Sequence, residues 1–482
     1  MLVPRTLACL ALLVTLEWVG ACDADDPPPA QSSEQPPAQA DPPATPDPPP
    51  DPPVEEVEAP PEPEPSEPEP PPTPEPEPEP IELRRADRST MLYDAPEFSA
   101  AFRGKIARGS TFHVYARART DDPDCKSGWA KVGTAAYVCL GRSTVVKKPA
   151  PRPLPRTVVG GMLPYHYAKR RGPDHPAPVW RSIGALRSGA APSGELSIEH
   201  DYAFMRRRFA KGERVLEDEN RRVVKEADVR RFIPSTFEGR DLEDDPLPTE
   251  GIMAWVTRWP HGQALEAAHP DADAVAKLEF QSIVVVDDAP VRKRGVTFYP
   301  LHDGSGFVEA KAIRRYIPAD PLPDAGPDDV WVDIEVSQQT LTLYRGTTPI
   351  FATLISSGTG TNPTPLGIYR MESKMALTDM RSKPGDDDSY HVEAVPWAMY
   401  FDGRFALHGA YWHNRFGNRV SHGCVNLSPK DAKRVFDTID PALPNGWITV
   451  YEHPQDLGSL VRVRKGTKVP KDRRHEPRRR ND

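Results

Sequence analysis

His408-Gly-Ala-Tyr-Trp-His-Asn-Arg-Phe-Gly-Asn-Arg-Val-Ser-His-Gly-Cys-Val-Asn426 gathers three histidines (His408, His413, His422) and one cysteine, Cys424, within nineteen residues. A cysteine thiol is a weak nucleophile at neutral pH, and a histidine within hydrogen-bond reach can take its proton and turn it into a thiolate. Gly423, just before Cys424, leaves the backbone open to an approaching carbonyl and permits a tight or left-handed turn. Main-chain N–H groups around Cys424 would then stabilise the oxyanion of a tetrahedral intermediate. The pattern points to acyl transfer with Cys424 as nucleophile. The residues alone leave the base open: if 421–426 is extended, residues two apart share a face, and His422 would lie beside Cys424. By ligand type, His408, His413, His422 and Cys424 could also form a zinc set, but the paired spacing of zinc clips is missing. No metal and no cofactor is expected.

Ser421-His-Gly-Cys-Val-Asn426, preceded by His408-Gly409, resembles the signature of the L,D-transpeptidase (YkuD-type) catalytic domain family. Two further segments resemble that family in the right order. Val330 to Tyr344 alternates like its opening hairpin, with a turn near Ser337 to Gln339 and the next at Arg345-Gly346. Ser356-Ser-Gly-Thr-Gly360 and Thr364-Pro-Leu-Gly-Ile-Tyr369 match its Ser/Thr-Gly and Thr-Pro-x-Gly segment. The likeness covers residues 329–453. It implies a mainly β fold round a curved sheet, with the cysteine in a cleft under a mobile cap. It also implies Cys424 as nucleophile, His408 as proton donor and acceptor, and Gly409 orienting that imidazole through its carbonyl. Ser421, His422, Gly423 and Asn426 would shape the substrate pocket. Residues 371–395 read as a loop over the cleft; Asp386 to Asp388 within it lack calcium-loop spacing. Trp397, Tyr400 and Phe401 are expected either to line the cleft or to be core aromatics.

The reaction the resemblance implies begins with attack of Cys424 on the diaminopimelate carbonyl of a peptidoglycan tetrapeptide stem, expelling D-Ala. The thioester passes to an amine. A neighbouring stem would give a 3–3 cross-link, an envelope protein would be anchored to the wall, and a free D-amino acid would be exchanged. Two alternatives stand beside this: a peptidoglycan hydrolase using the same thioester, and a non-catalytic wall-binding lipoprotein.

Residues 1–22 read as a signal peptide, with Arg5, an apolar run from Leu7 to Leu16, and Val19-Gly-Ala-Cys22. That end resembles the bacterial lipobox, which implies lipidation of Cys22 and a place in the periplasm or cell envelope, anchored to a membrane. Residues 23–86 read as a disordered Pro/Glu-rich linker: 25 of the 59 prolines fall in 27–80, and 23–80 hold 17 Asp/Glu and no Lys or Arg. Such a segment cannot bury a core and favours polyproline II, reaching on the order of 170 Å if fully extended. The whole chain carries −9, so residues 81–482 carry +8, of which +7 sits in the basic tail 462–482. That tail reads as a solvated end or as a patch for an anionic surface. An exported chain makes nucleic acid an unsuitable partner.

Cys125 and Cys139 lie fourteen apart in a β-patterned region and could pair in an oxidising compartment, leaving Cys424 as the free thiol. Between 87 and 325 the sequence shows short β-branched runs separated by turns. Val223-Val-Lys-Glu-Ala-Asp-Val-Arg-Arg-Phe-Ile-Pro234 and Phe307-Val-Glu-Ala-Lys-Ala-Ile-Arg-Arg-Tyr-Ile-Pro318 agree at five of twelve positions, 84 residues apart. Gly128-Trp to Tyr137-Val-Cys139 is similar to the ending of bacterial SH3 domains. The resemblance implies SH3-like modules at 87–147, 155–245 and 250–322, each closed by a strand, a short helical turn and a last strand. They would bind the wall or space the enzyme from it.

Overall fold

The computed structural model describes residues 79–474, apart from 121, 150–156, 158–160 and 383–389. The expected signal peptide, Cys22, nearly all of the linker, Asp386 to Asp388 and residues 475–482 of the tail lie outside the described residues. The chain divides at Pro74/Glu75, and every described residue falls in the second unit.

The region that carries the 408–426 stretch begins with β1 (Val330–Glu335) and β2 (Thr340–Arg345), whose alternating β-branched and aromatic residues pair antiparallel in register from Val330↔Arg345 to Glu335↔Thr340. The expected turn lies between them. Glu335 closes it by accepting from the backbone of Ser337 and Gln338. There follow β3 (Thr348–Leu354), β4 (Gly367–Arg370), β5 (Ser373–Arg381), β6 (His391–Asp402), β7 (Phe405–Gly409), β8 (Val425–Leu427), helix α1 (Pro429–Thr438), β9 (Trp447–Tyr451) and β10 (Leu460–Arg464).

One sheet runs from the short strand Arg240–Asp241 through β3, β2, β1 and β10 to β4, antiparallel except where β1 meets β10. A second sheet carries β6, β5 and β9 at its centre, with β7 and then β8 branching from β6. Val332, Ile334, Leu341 and Leu343 of the first share a core with Met399, Leu407 and Val425 of the second and with Ala432, Val435 and Phe436 of α1. Helix α1 is capped by Ser428, whose hydroxyl accepts from the Asp431 N–H, and has Pro429 in its first turn, where no N–H is needed.

Four expectations need correction. Residues 371–395 are not a loop: β5 and β6 form a long hairpin, paired from Ser373↔Tyr400 to Arg381↔His391, because turn-forming residues cluster only near its tip. The catalytic region does not end at 453, and 462–482 is not a solvated tail throughout. β10 lies inside the first sheet, and buried Arg462 and Arg464 both bind the buried Asp333 carboxylate (2.6 and 2.8 Å). Charge counting misses this, since a paired and buried arginine looks in sequence like an exposed one. Finally, the linker stops before 86: Glu82–Ala86 is a strand paired with Thr111–Val114 and Ser143–Val145.

The anticipated strand, short helix, strand ending occurs three times, at 136–145, 223–231 and 307–315, with a 3₁₀ turn in the middle of each. Cys125 and Cys139 are bonded to each other. The segments before residue 329 are not beads beside the catalytic region. Phe102–Ile106 pairs with β9, His200–Phe204 with the start of β6, and Arg240–Asp241 with β3. The second sheet is thereby extended on both sides into 13 strands.

Candidate active site

β7 and β8 are neighbouring parallel strands, with Leu407 opposite Val425, His408 opposite Asn426 and Gly409 opposite Leu427. The two ends of the nineteen-residue stretch are therefore brought together by strand pairing. Opposed residues of a parallel pair point to the same side, so His408 and Asn426 share a face. Cys424 sits two residues before Asn426, at the mouth of β8.

The approach to Cys424 is a turn, not an extended strand. Gly423 has φ +118, and a Cβ there would lie 2.5 Å from Cε1 of Phe405, so only glycine fits. The Ser421 hydroxyl accepts from the Gly423 N–H (3.1 Å) and donates to the Cys424 carbonyl (2.5 Å). The Thr364 hydroxyl donates to the Gly423 carbonyl (2.8 Å) and accepts from the Gly358 N–H (2.9 Å). The 356–360 and 364–369 segments thus brace the turn that presents the thiol. Ser421, expected in the substrate pocket, is buried with its hydroxyl used inside this turn.

The extended geometry that would have put His422 beside Cys424 is absent. His422 is exposed and stacks on Tyr390 with ring centroids 5.3 Å apart. His408 is only 2 % exposed; its Nδ1 lies 3.5 Å from the Gly409 carbonyl, and burial pushes its pKa down to about 4. At neutral pH it is an uncharged proton acceptor. The Cys424 thiol is half-buried and donates to the Arg404 carbonyl at 3.8 Å. Burial raises its pKa, opposed by the Ala406 backbone and the charge of Arg404. The resting pair is a neutral thiol and a neutral imidazole.

Of the three aromatics ahead of His408, Trp397 and Phe401 are core residues. Tyr400 is half-buried, and its pKa is pushed up to about 12 by burial and then, at the high pH where it titrates, by the Cys424 thiolate. By residue type alone, His413 is a candidate zinc ligand. Among the described residues no group of three or more His, Cys, Asp or Glu is arranged to hold a metal. His413 instead lies against Asn426, its Nε2 2.9 Å from the side-chain amide, while its Nδ1 accepts from the Arg415 N–H (3.2 Å). No spacing signal predicts that contact, which depends on how the 410–420 loop folds back.

Residues 329–470 match the model of the L,D-transpeptidase catalytic domain, YkuD. Bacillus subtilis (strain 168) YciB, whose name assigns it to the L,D-transpeptidases, is 28% identical over 131 residues, covering 24% of this chain and 64% of that protein. Mycobacterium tuberculosis (strain H37Rv) L,D-transpeptidase 1 is 25% identical over 183 residues, covering 32% of this chain and 71% of that protein. This chain thus spans under two thirds of the length of YciB. Among solved structures, that of the L,D-transpeptidase LdtMt1 in complex with imipenem is 22% identical, with a TM-score of 0.24, covering 45% of this chain and 100% of that one. The matched span begins at β1, encloses the Cys424 turn and closes after β10, so residues 329–470 are the part of this chain that is similar to the L,D-transpeptidase catalytic domain.

Proposed function

We propose that this protein is a peptidoglycan L,D-transpeptidase, exported and anchored through lipid on Cys22, whose substrates are tetrapeptide stems. In the proposed reaction His408 takes the Cys424 proton as sulfur attacks the diaminopimelate carbonyl. The tetrahedral intermediate collapses to a thioester, and the imidazolium returns its proton to the departing D-Ala amine. An acceptor amine, deprotonated by His408, then attacks the thioester and restores the thiol. The acceptor would be a neighbouring stem, an envelope protein or a free D-amino acid.

The observation that supports this reading is the β7–β8 pairing, in which the buried His408 lies opposite Asn426, itself two residues from Cys424. The segments at 87–147, 155–245 and 250–322 are proposed as SH3-like modules on the strength of their repeated strand, 3₁₀ turn and strand endings.

Mass spectrometry of the purified protein with tetrapeptide muropeptides, beside Cys424→Ala, tests the proposal. The expected product is a dimer that has lost D-Ala, absent with the variant. Loss of D-Ala with water added would turn the reading to a hydrolase. No product, with wall binding retained, would turn it to a binding protein.

A further inference from the structure

The contact between His413 and Asn426 fixes which way the Asn426 amide faces. A backbone N–H can only donate, and the Arg415 N–H points at Nδ1 of His413 at 3.2 Å, so that nitrogen holds a lone pair. Burial, with Arg415 and His408 nearby, pushes the His413 pKa down to about 4, so the ring is neutral at pH 7. A neutral imidazole carries one hydrogen, which must then be on Nε2.

That N–H faces the Asn426 amide at 2.9 Å. With Nδ2 on that side, two donors would meet head-on. Turning the amide over puts Oδ1 there to accept, and the two ends of an amide are told apart only by such a network. The turn sends the NH₂ group to the opposite side of the amide. Asn426 lies opposite His408 in the parallel ladder and two residues from Cys424.

The loop carrying His413 is held from outside. Oδ1 of Asn414 accepts from Ser235 Oγ (2.6 Å) and from Gln281 Nε2 (2.9 Å). The Gly417 carbonyl accepts from Nε of Arg314 (2.7 Å), and the Arg415 carbonyl from Ser356 Oγ (3.0 Å). The loop that carries His413 is thus anchored by Ser235, Gln281 and Arg314, all ahead of residue 329, and by Ser356 within the 329–470 region.

We propose that His413, as its Nε2–H tautomer, is a positioning residue that holds the Asn426 amide with its oxygen on the His413 side and its NH₂ on the opposite side, available to donate to an oxygen of the acyl substrate. This rests on the transpeptidase reading for the identity of the substrate, but the tautomer and amide orientation do not. Two measurements test it. Long-range ¹H–¹⁵N correlation on the full chain with labelled histidine should show His413 Nδ1 unprotonated and Nε2 protonated; the opposite tautomer overturns the proposal.

The second measurement is acylation of Cys424 by imipenem. His413→Leu should lower the second-order acylation rate by about tenfold, the size expected from one misplaced hydrogen bond, while His413→Gln, which keeps a donor, should stay within about threefold. Asn426→Asp, which can accept from His413 but not donate to substrate, should match His413→Leu, and the double variant should be no worse than either alone. A wild-type rate in His413→Leu, failure of His413→Gln to preserve it, or additive losses would overturn the positioning role. If His413→Leu does not fold, the tautomer and the glutamine variant still decide. A wild-type protein that imipenem does not acylate would instead count against the transpeptidase reading.

Discussion

His408 and Cys424 are both pushed by burial toward their uncharged forms, the imidazole down to about 4 and the thiol above its ordinary value. A standing thiolate–imidazolium pair is disfavoured on both sides, so proton transfer accompanies attack on the substrate. His408 loses its role as acceptor only when protonated, which requires a pH near 4. The acid limb of the imipenem acylation rate is therefore expected near pH 4, as measured from pH 3.5 to 8. A limb near 6.5 would mean that the imidazole is solvated or that the pair is ionised at rest. The same shift sets a stability trend. Between pH 6.5 and about 4 the unfolded chain binds a proton that folded His408 refuses, so stability falls as pH drops through that window, by up to about 3 kcal/mol at its lower end.

Strand β10 shows how an element can be decided by one buried charge. Its arginines enter the sheet because Asp333 on β1 lies opposite Arg462 in the parallel ladder, accepting from Nε of Arg462 (2.6 Å) and Nε of Arg464 (2.8 Å). The remaining donors of Arg464 go to the Ile317 and Gly466 carbonyls, and Nη1 of Arg462 donates to the Asp320 backbone carbonyl. Removing the carboxylate leaves two buried guanidiniums uncompensated. Asp333→Ala is expected to cost about 3–5 kcal/mol in urea denaturation, the usual range for breaking a buried pair from one side. The triple variant Asp333→Leu/Arg462→Met/Arg464→Leu should recover more than half of that loss, since no charge then remains buried. If Asp333→Ala costs under about 1 kcal/mol, the arginines reach water and β10 is held by its valines alone.

At the scale of the molecule, the catalytic sheets are not closed by their own strands. β9 hands its outer edge to Phe102–Ile106, β6 to His200–Phe204 and β3 to Arg240–Asp241. Trp447 and Val450 of β9 are buried in a core shared with Leu92, Ile106 and Val138. A fragment of residues 329–474 would expose these three edges and that indole, and unpaired apolar edges are templates for aggregation. It is expected to elute as aggregate or to melt well below residues 79–474 in size-exclusion and circular-dichroism measurements. A fragment that is monomeric and melts at the same temperature would show that the preceding segments are accessories to a self-sufficient domain.

What the sequence determined by itself was local: the 408–426 stretch singled out Cys424 as a candidate nucleophile, because glycine, histidine and cysteine at that spacing have few other uses. Period-two alternation located β1 and β2, and the 223–234 and 307–318 repeat located two of the three strand, 3₁₀ turn and strand endings, since these depend on neighbours in the chain. Tertiary structure alone decided the rest. Ser421 became a brace because Gly423 turns the backbone, and His422 left the thiol for Tyr390 for the same reason. Arg462 and Arg464 became core because Asp333 waits across a parallel ladder 129 residues away. His413 acquired a role only when the loop folded back onto Asn426. For the two arginines, His422 and His413 the deciding partner is not a neighbour in the chain, and a side chain's chemistry depends on burial and hydrogen-bond partners that residue order does not encode.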